Sequence, residues 1–159
     1  IGLQILKGKI KVNNKISQYF IKKYYEPDLK LKFTNSLLKL ANTSIDISDG
    51  LIDDLKKMIN RQSVSFHIFE KNIPLSNSLS QLIKIKKLRK IDVTSRGDDY
   101  QILFTANSNK SRIIKKISNN TGIKITKIGK IISGKNKSKI INIKNKQIEA
   151  KNKGYIHQF

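Results

Sequence analysis

The stretch of sequence that decides the fold runs Thr43-Ser-Ile-Asp-Ile-Ser-Asp-Gly-Leu-Ile-Asp-Asp-Leu55. Its first part, Thr43 to Ile47, is rich in β-branched residues, which favour an extended strand. Its second part opens a series of apolar residues at the spacing of one helical face, namely Leu51, Leu55, Met58 and Ile59. The stretch therefore predicts a short strand that runs directly into an amphipathic helix.

Strands and helices alternate on both sides of this junction. Upstream, the pattern predicts three helices, from Ile1 to Lys11, from Ile16 to Tyr25 and from Asn35 to Leu40. Pro27 stops the second of them. Downstream it predicts a strand from Val64 to Phe69, a helix from Ser76 to Lys90, a strand from Asp99 to Ala106 and a helix from Lys110 to Asn119. A closing pair of strands, Ile123 to Ile132 and Lys139 to Ile143, is predicted around a turn at Gly134. The alternation predicts one α/β (α+β layered) domain with a mixed β-sheet and flanking helices.

The junction also concentrates negative charge. Six of the 11 carboxylates fall in two short stretches, at Asp46, Asp49, Asp53, Asp54, Asp98 and Asp99. Carboxylates hold Mg²⁺, and free N–H groups at a helix amino terminus attract phosphate oxygens, so such a junction can bind both. Gly50 would let a ligand approach the backbone closely. The alternative interpretation is structural, with Ser48 and Asp49 acting only as helix caps.

The net charge of +22 raises the alternative of nucleic-acid binding, because a basic surface attracts polyphosphate. Only four of the 33 basic residues are arginine, the side chain best suited to reading phosphates and bases. Lysine is instead spread along the whole chain with isoleucine and asparagine, the three residues whose codons are richest in A and T. A bias in base composition explains this pattern better than a nucleic-acid interface does.

Composition excludes several other chemistries. The chain has no cysteine, and its two histidines, His67 and His157, lie far apart. This argues against a zinc site and against cysteine catalysis. No apolar run reaches the length of a membrane span, and the sequence does not open like a signal peptide, which predicts a cytoplasmic protein.

Five segments of the chain resemble thiamine-monophosphate kinases, members of the superfamily that includes aminoimidazole ribonucleotide synthetase. The stretch from Thr43 to Leu55 resembles the family's signature. The other four segments follow the family's order and span the whole chain: Ile1-Gly-Leu-Gln-Ile-Leu6, Tyr24-Tyr-Glu-Pro-Asp-Leu-Lys30, Gly97-Asp-Asp-Tyr-Gln-Ile-Leu-Phe-Thr105 and Gly154-Tyr-Ile-His-Gln-Phe159.

The resemblance implies roles for residues at two ends of a site. Asp46 and Asp49 would be Mg²⁺ ligands, and Ser48 would contact ATP, the co-substrate. Asp98 and Tyr155 would line the site for thiamine monophosphate. These assignments make chemical sense, because a carboxylate can approach the cationic thiazolium ring and a tyrosine ring can stack on it.

The resemblance is to the C-terminal half of the family's proteins. It implies ATP-dependent phosphorylation of thiamine monophosphate to thiamine diphosphate, with residues 1–159 forming one C-terminal kinase domain. The family's other metal-binding aspartates lie in an N-terminal domain that has no counterpart in this sequence, so we expect the chain to need that domain, in cis or in trans. Two other classes stay open: an inactive remnant kept as a partner-binding module, and a basic nucleic-acid-binding domain.

Overall fold

The computed structural model describes residues 1–60, 62–97, 100–135 and 137–151. Its helices are α1 (Gly2–Leu6), α2 (Asn14–Tyr25), α3 (Thr34–Leu40), α4 (Leu51–Met58), α5 (Asn77–Ile85), α6 (Lys90–Thr94) and α7 (Ser111–Thr121). Its strands are β1 (Thr43–Asp46), β2 (Val64–Phe69), β3 (Ile102–Thr105), β4 (Gly129–Ser133), β5 (Lys139–Ile141) and β6 (Gln147–Ile148). No helix in the described part of the chain is long and apolar enough to cross a membrane.

The first two helices form a small unit with α5. Ile16 and Phe20 on α2 are buried against Leu82 on α5, and α1 packs onto the same cluster. α2 ends at Tyr25, as predicted from Pro27, whose ring cannot continue a helix. This unit has its own apolar cluster, separate from the one beneath the strand-to-helix junction.

The strands form two sheets. β1 and β3 are antiparallel partners, with Thr43 opposite Thr105 and Asp46 opposite Ile102. The second sheet has the order β4-β2-β5-β6, in which β2 runs antiparallel to β4 and parallel to β5. This arrangement confirms the prediction of a mixed sheet with flanking helices.

The apolar face of α4 joins the two sheets. Leu51, Leu55 and Met58, which the sequence placed on one face, are all buried. Their cluster takes in residues of β2, β3 and β5, namely Phe66, Ile68, Leu103 and Ile140. The junction between β1 and α4 is therefore held by the helix that follows it, and burying these side chains contributes on the order of 1.5–3 kcal/mol each.

The predicted pairing of the last long strands around Gly134 is wrong. β2 lies between β4 and β5, so the two strands are neighbours of β2 and not of each other. The buried side chain of Ser65 explains the crossover, because its hydroxyl donates to the carbonyl of Gly134 and accepts from the N–H of Lys137 at 3.1 Å. The connecting segment is thus tied to β2, which separates the strands on either side of it.

The helix predicted from Ser76 to Lys90 is shorter in the structure, and the next helix, α6, begins only at Lys90. α5 ends at Ile85, and Lys87 takes a left-handed backbone conformation with φ of 49°. The N–H of Leu88 then closes back onto the carbonyl of Ile83 at 3.0 Å, which ends the helix. Nothing in the composition of this lysine-rich segment marks the break.

We expect Ser65→Ala to lower the free energy of unfolding by about 1–3 kcal/mol, because it removes both hydrogen bonds of the Ser65 hydroxyl, and Ser65 is only 1% exposed. Urea unfolding followed by circular dichroism measures this. Ser133→Ala, at an exposed position on β4, is the matched control and should change stability by less than about 0.5 kcal/mol. Equal effects of the two substitutions would show that Ser65 does not hold the crossover.

Candidate functional site

The candidate site is the loop between β1 and α4. Asp46 ends β1 with an exposed side chain, and Ser48 and Asp49 follow at half-buried positions. α4 then begins at Leu51 with Gly50 as its N-cap residue. The structure therefore brings Asp46, Ser48 and Asp49 together on one short loop, as the sequence predicted.

The shape of this loop is set by Asp54, one turn inside α4. Its carboxylate is fully buried, and the Oδ2 atom accepts hydrogen bonds from the backbone N–H groups of Ser48, Asp49 and Gly50 at 2.9, 2.9 and 3.1 Å. Helical side chains point towards the amino end of their helix, which is why a residue at this position reaches the preceding loop. A buried carboxylate is tolerated here because three donors compensate its lost hydration.

This arrangement corrects two sequence-based expectations. The sequence predicted free N–H groups for phosphate oxygens at the amino terminus of the helix, but those of Ser48, Asp49 and Gly50, immediately before α4 and at its N-cap, are donated to Asp54. Ser48 was also expected to be able to cap α4, but the N-cap residue is Gly50, and no side-chain hydrogen bond caps the helix there. The anion that accepts these N–H groups of the loop is the carboxylate of Asp54, on α4.

Lys57 lies on the same side of α4 as Asp54. Its ammonium group makes a close ion pair with Oδ2 of Asp49 and a second contact, at 3.2 Å, with Oδ1 of Asp54. The hydrogen bond to Asp49 raises the pKa of the Lys57 ammonium above its ordinary value; burial opposes this effect and Asp54 adds to it. Neither Lys57 nor the structural role of Asp54 was predicted, although both lie at helical spacing from the loop.

A second loop, residues 95–97, packs directly on the first. Gly50 has φ of +130°, and a Cβ atom there would lie 2.4 Å from the carbonyl oxygen of Ser95. At Gly97 a Cβ atom would lie 2.1 Å from the carbonyl oxygen of Ser48. The sequence had suggested that Gly50 leaves room for a ligand, but the space beside it is filled by backbone. Both glycines are required because two loops touch main chain to main chain.

The residues on either side of the acidic pair Asp98 and Asp99 contact the loop between β1 and α4. Before it, Gly97 lies against Ser48; after it, the N–H of Tyr100 donates to the carbonyl of Ile47 at 2.9 Å, and Ile47 donates to Gln101 at 2.8 Å. Asp98 itself lies outside the described residues, as does Tyr155. The assignments of these two residues to the substrate end therefore stay predictions.

The chemistry of the loop fits a divalent cation. Asp46 and Asp49 offer carboxylate oxygens, the donors that Mg²⁺ prefers, and the Asp49 carboxylate already holds a cation in the form of the Lys57 ammonium. Among the described residues no group of three or more acidic, histidine or cysteine side chains is placed to hold a metal. Two carboxylates provide only part of a Mg²⁺ shell, and the remaining oxygens would have to come from water, phosphate or another part of the protein.

The chain is similar in sequence to several curated thiamine-monophosphate kinases. The thiamine-monophosphate kinase of Buchnera aphidicola subsp. Schizaphis graminum is 32% identical over 157 residues, which are 98% of this chain and 48% of that protein. The thiamine-monophosphate kinase of Escherichia coli K12 is 29% identical over 131 residues, 82% of this chain and 40% of that protein. The chain thus spans less than half the length of these two relatives. No protein-family model matches it.

Solved structures share the fold. A crystal structure of thiamine monophosphate kinase from Aquifex aeolicus has a TM-score of 0.73 at 26% identity, covering 93% of this chain and 46% of the other. A structure of AaThiL complexed with AMPPCP and TMP has a TM-score of 0.72 at 25% identity, covering 98% and 47%. The fold, including the junction between β1 and α4, thus defines a domain of the kind found in thiamine-monophosphate kinase structures. By sequence, the chain is related to the thiamine-monophosphate kinases over nearly all of its own length and about half of theirs.

We expect Asp54→Asn to lower the free energy of unfolding by about 1–3 kcal/mol, because it removes the charge that three backbone donors and Lys57 satisfy. Chemical denaturation followed by circular dichroism measures the change. The neighbouring Asp53→Asn is the matched control, since Asp53 pairs with the exposed side chain of Lys56 at 3.2 Å, and it should cost less than about 0.5 kcal/mol. A neutral Asp54→Asn would mean that the loop holds its shape without this carboxylate.

Proposed function

We propose that this chain supplies one side of the Mg·ATP site and part of the substrate site of a thiamine-monophosphate kinase. The observation that carries the proposal is the loop bearing Asp46, Ser48 and Asp49, which Asp54 fixes in shape within a chain whose relatives are such kinases. The proposed reaction transfers the γ-phosphoryl group of ATP to the phosphate of thiamine monophosphate and gives thiamine diphosphate. Phosphoryl transfer needs little covalent chemistry from a protein and depends on positioning and charge neutralisation.

Each residue of the loop has a proposed task. Asp46 and Asp49 would bind Mg²⁺ through their carboxylates, and Ser48 would contact ATP through its hydroxyl group. When bound there, Mg²⁺ would supply positive charge that offsets the negative charge of the phosphate groups. Asp54 touches neither ligand in this proposal: it is a positioning residue, which holds the backbone of the loop so that the carboxylates keep fixed places.

The substrate end of the site is proposed for Asp98 and Tyr155. Its support from the described residues is indirect: Gly97 and Tyr100, on either side of the acidic stretch, both contact the loop that carries the proposed metal ligands. A site for a phosphorylated acceptor has to adjoin the phosphates of ATP, because in-line transfer requires both groups within bonding reach. The contacts of Gly97 and Tyr100 with the loop agree with that requirement.

We further propose that the chain acts as one domain, together with an N-terminal domain of the kind its relatives have, in a cytoplasmic enzyme. The chain matches 48% of the Buchnera protein, and its loop offers two metal-binding carboxylates. A Mg²⁺ ion takes about six oxygen ligands, so a second set of groups has to complete the site.

We expect purified chain alone to form no thiamine diphosphate from thiamine monophosphate and Mg·ATP, and the chain joined to the N-terminal domain of a relative to form it. In the joined protein, Asp46→Asn and Asp49→Asn should each reduce kcat by about 10²-fold or more, because each removes a charge that faces the ion. Asp53→Asn should leave kcat within about twofold, since its carboxylate faces Lys56 on the helix surface.

Turnover by the chain alone would contradict the two-domain requirement. Full activity of both asparagine variants in the joined protein would show that Asp46 and Asp49 are structural and not metal ligands. Their thermal unfolding, measured in parallel, separates loss of chemistry from loss of fold.

The substrate end makes a separate prediction for the joined protein. Tyr155→Ala should weaken binding of thiamine monophosphate by a few-fold to about thirtyfold, the contribution of roughly 0.5–2 kcal/mol from a cation on an aromatic ring, and should leave Mg·ATP affinity unchanged. Asp98→Asn should act in the same direction. Calorimetric titration with each ligand tests this: equal weakening of both ligands would indicate a disturbed fold, and unchanged thiamine monophosphate affinity would contradict the assignment.

A further inference from the structure

We infer that Lys57 serves as a built-in counter-cation for Asp49, which a divalent metal must displace, so that Lys57 sets the metal affinity of the loop. The inference rests on the proposed function, in which Asp46 and Asp49 bind Mg²⁺. It assigns a role to a residue that the sequence did not single out.

The contacts of Lys57 show why it competes with a metal. Its ammonium group is bound directly to Oδ2 of Asp49 and lies 3.2 Å from Oδ1 of Asp54. An ammonium group and a divalent ion bound at the same carboxylate would repel each other at close range. Metal binding through this oxygen of Asp49 therefore requires Lys57 to move.

The environment of Lys57 allows it to move. Its side chain is 52% exposed, whereas those of Asp49 and Asp54 are 15% and 1% exposed. A lysine has a flexible four-carbon stem, so its ammonium group can turn into solvent without any change in the backbone. Asp54 keeps three backbone donors when Lys57 leaves, so its burial stays compensated.

The same residue could act in the opposite way, by staying in place and holding the carboxylate of Asp49, and with it the loop, in position. The two roles predict opposite signs for the effect of removing the charge. A competing lysine weakens binding of a bare metal ion, so its removal tightens that binding. A lysine that only holds the loop in shape supports binding, so its removal weakens it.

The test is a titration of the 159-residue chain with Mn²⁺ alone, followed by paramagnetic broadening of the backbone amide signals of Ile47, Ser48 and Asp49. Lys57→Met keeps the length of the side chain and removes its charge. We expect it to bind Mn²⁺ about two- to fivefold more tightly than the wild type, the range for loss of one partly exposed ion pair. Excess Mg²⁺ should reverse the broadening.

Two further variants control for general effects. Lys56→Met makes the same change of charge on the same helix, but Lys56 pairs with Asp53 and not with Asp49, so affinity should change by less than about twofold. Lys57→Arg keeps the charge and should bind Mn²⁺ within about twofold of the wild type. Lys57→Arg also tests the inference if Lys57→Met fails to fold, because tightening of about threefold or more in a variant that keeps the charge would contradict it.

The outcomes separate the inference from the proposed function. Tighter binding in Lys57→Met alone supports both. Equal or weaker binding in Lys57→Met, with clear broadening at the loop, overturns the role of Lys57 and leaves the metal site standing. Absence of broadening at the loop in every variant overturns the role of Lys57, whereas the assignment of Asp46 and Asp49 as metal ligands is decided separately by their asparagine variants in the joined protein.

Discussion

The hydrogen bonds from three successive backbone N–H groups to the carboxylate of Asp54 are the constraint on which the site depends. They turn the end of a strand into the start of a helix without a conventional capping side chain, and they do so in a buried place. The cost of burying the charge is offset only while all three donors are present. The loop, the helix start and the buried carboxylate are therefore one cooperative unit.

Much of this architecture could be predicted from sequence because it is local. The strand from Thr43, the apolar face that begins at Leu51 and the stop before Pro27 each follow from the periodicity or chemistry of a few neighbouring residues. The placement of β2 between β4 and β5 could not, because it depends on contacts of Ser65 with residues about seventy positions away. Local patterns carry no information on such partners.

The position of the candidate loop could be predicted from the sequence, but the contacts that organise it could not. Asp46, Ser48 and Asp49 share a loop as expected, yet the groups that organise the loop, Asp54 and Lys57, belong to the following helix. A sequence pattern shows that acidic residues are close in number, but not which carboxylate turns inward and which faces outward. That choice follows from helix geometry together with burial, and burial is a property of the folded chain.

The loop between β1 and α4 and the second loop, residues 95–97, are held by contacts that span very different lengths of chain. The bonds that shape the loop join residues four to six positions apart, whereas the strand pairing that brings in the second loop joins Thr43 with Thr105. Closing a long stretch of chain costs entropy and slows folding, whereas a single helical turn forms quickly. During folding the loop between β1 and α4 should thus form its turn early, and the contacts of Ser95 and Gly97 with this loop should form only when the chain is nearly native.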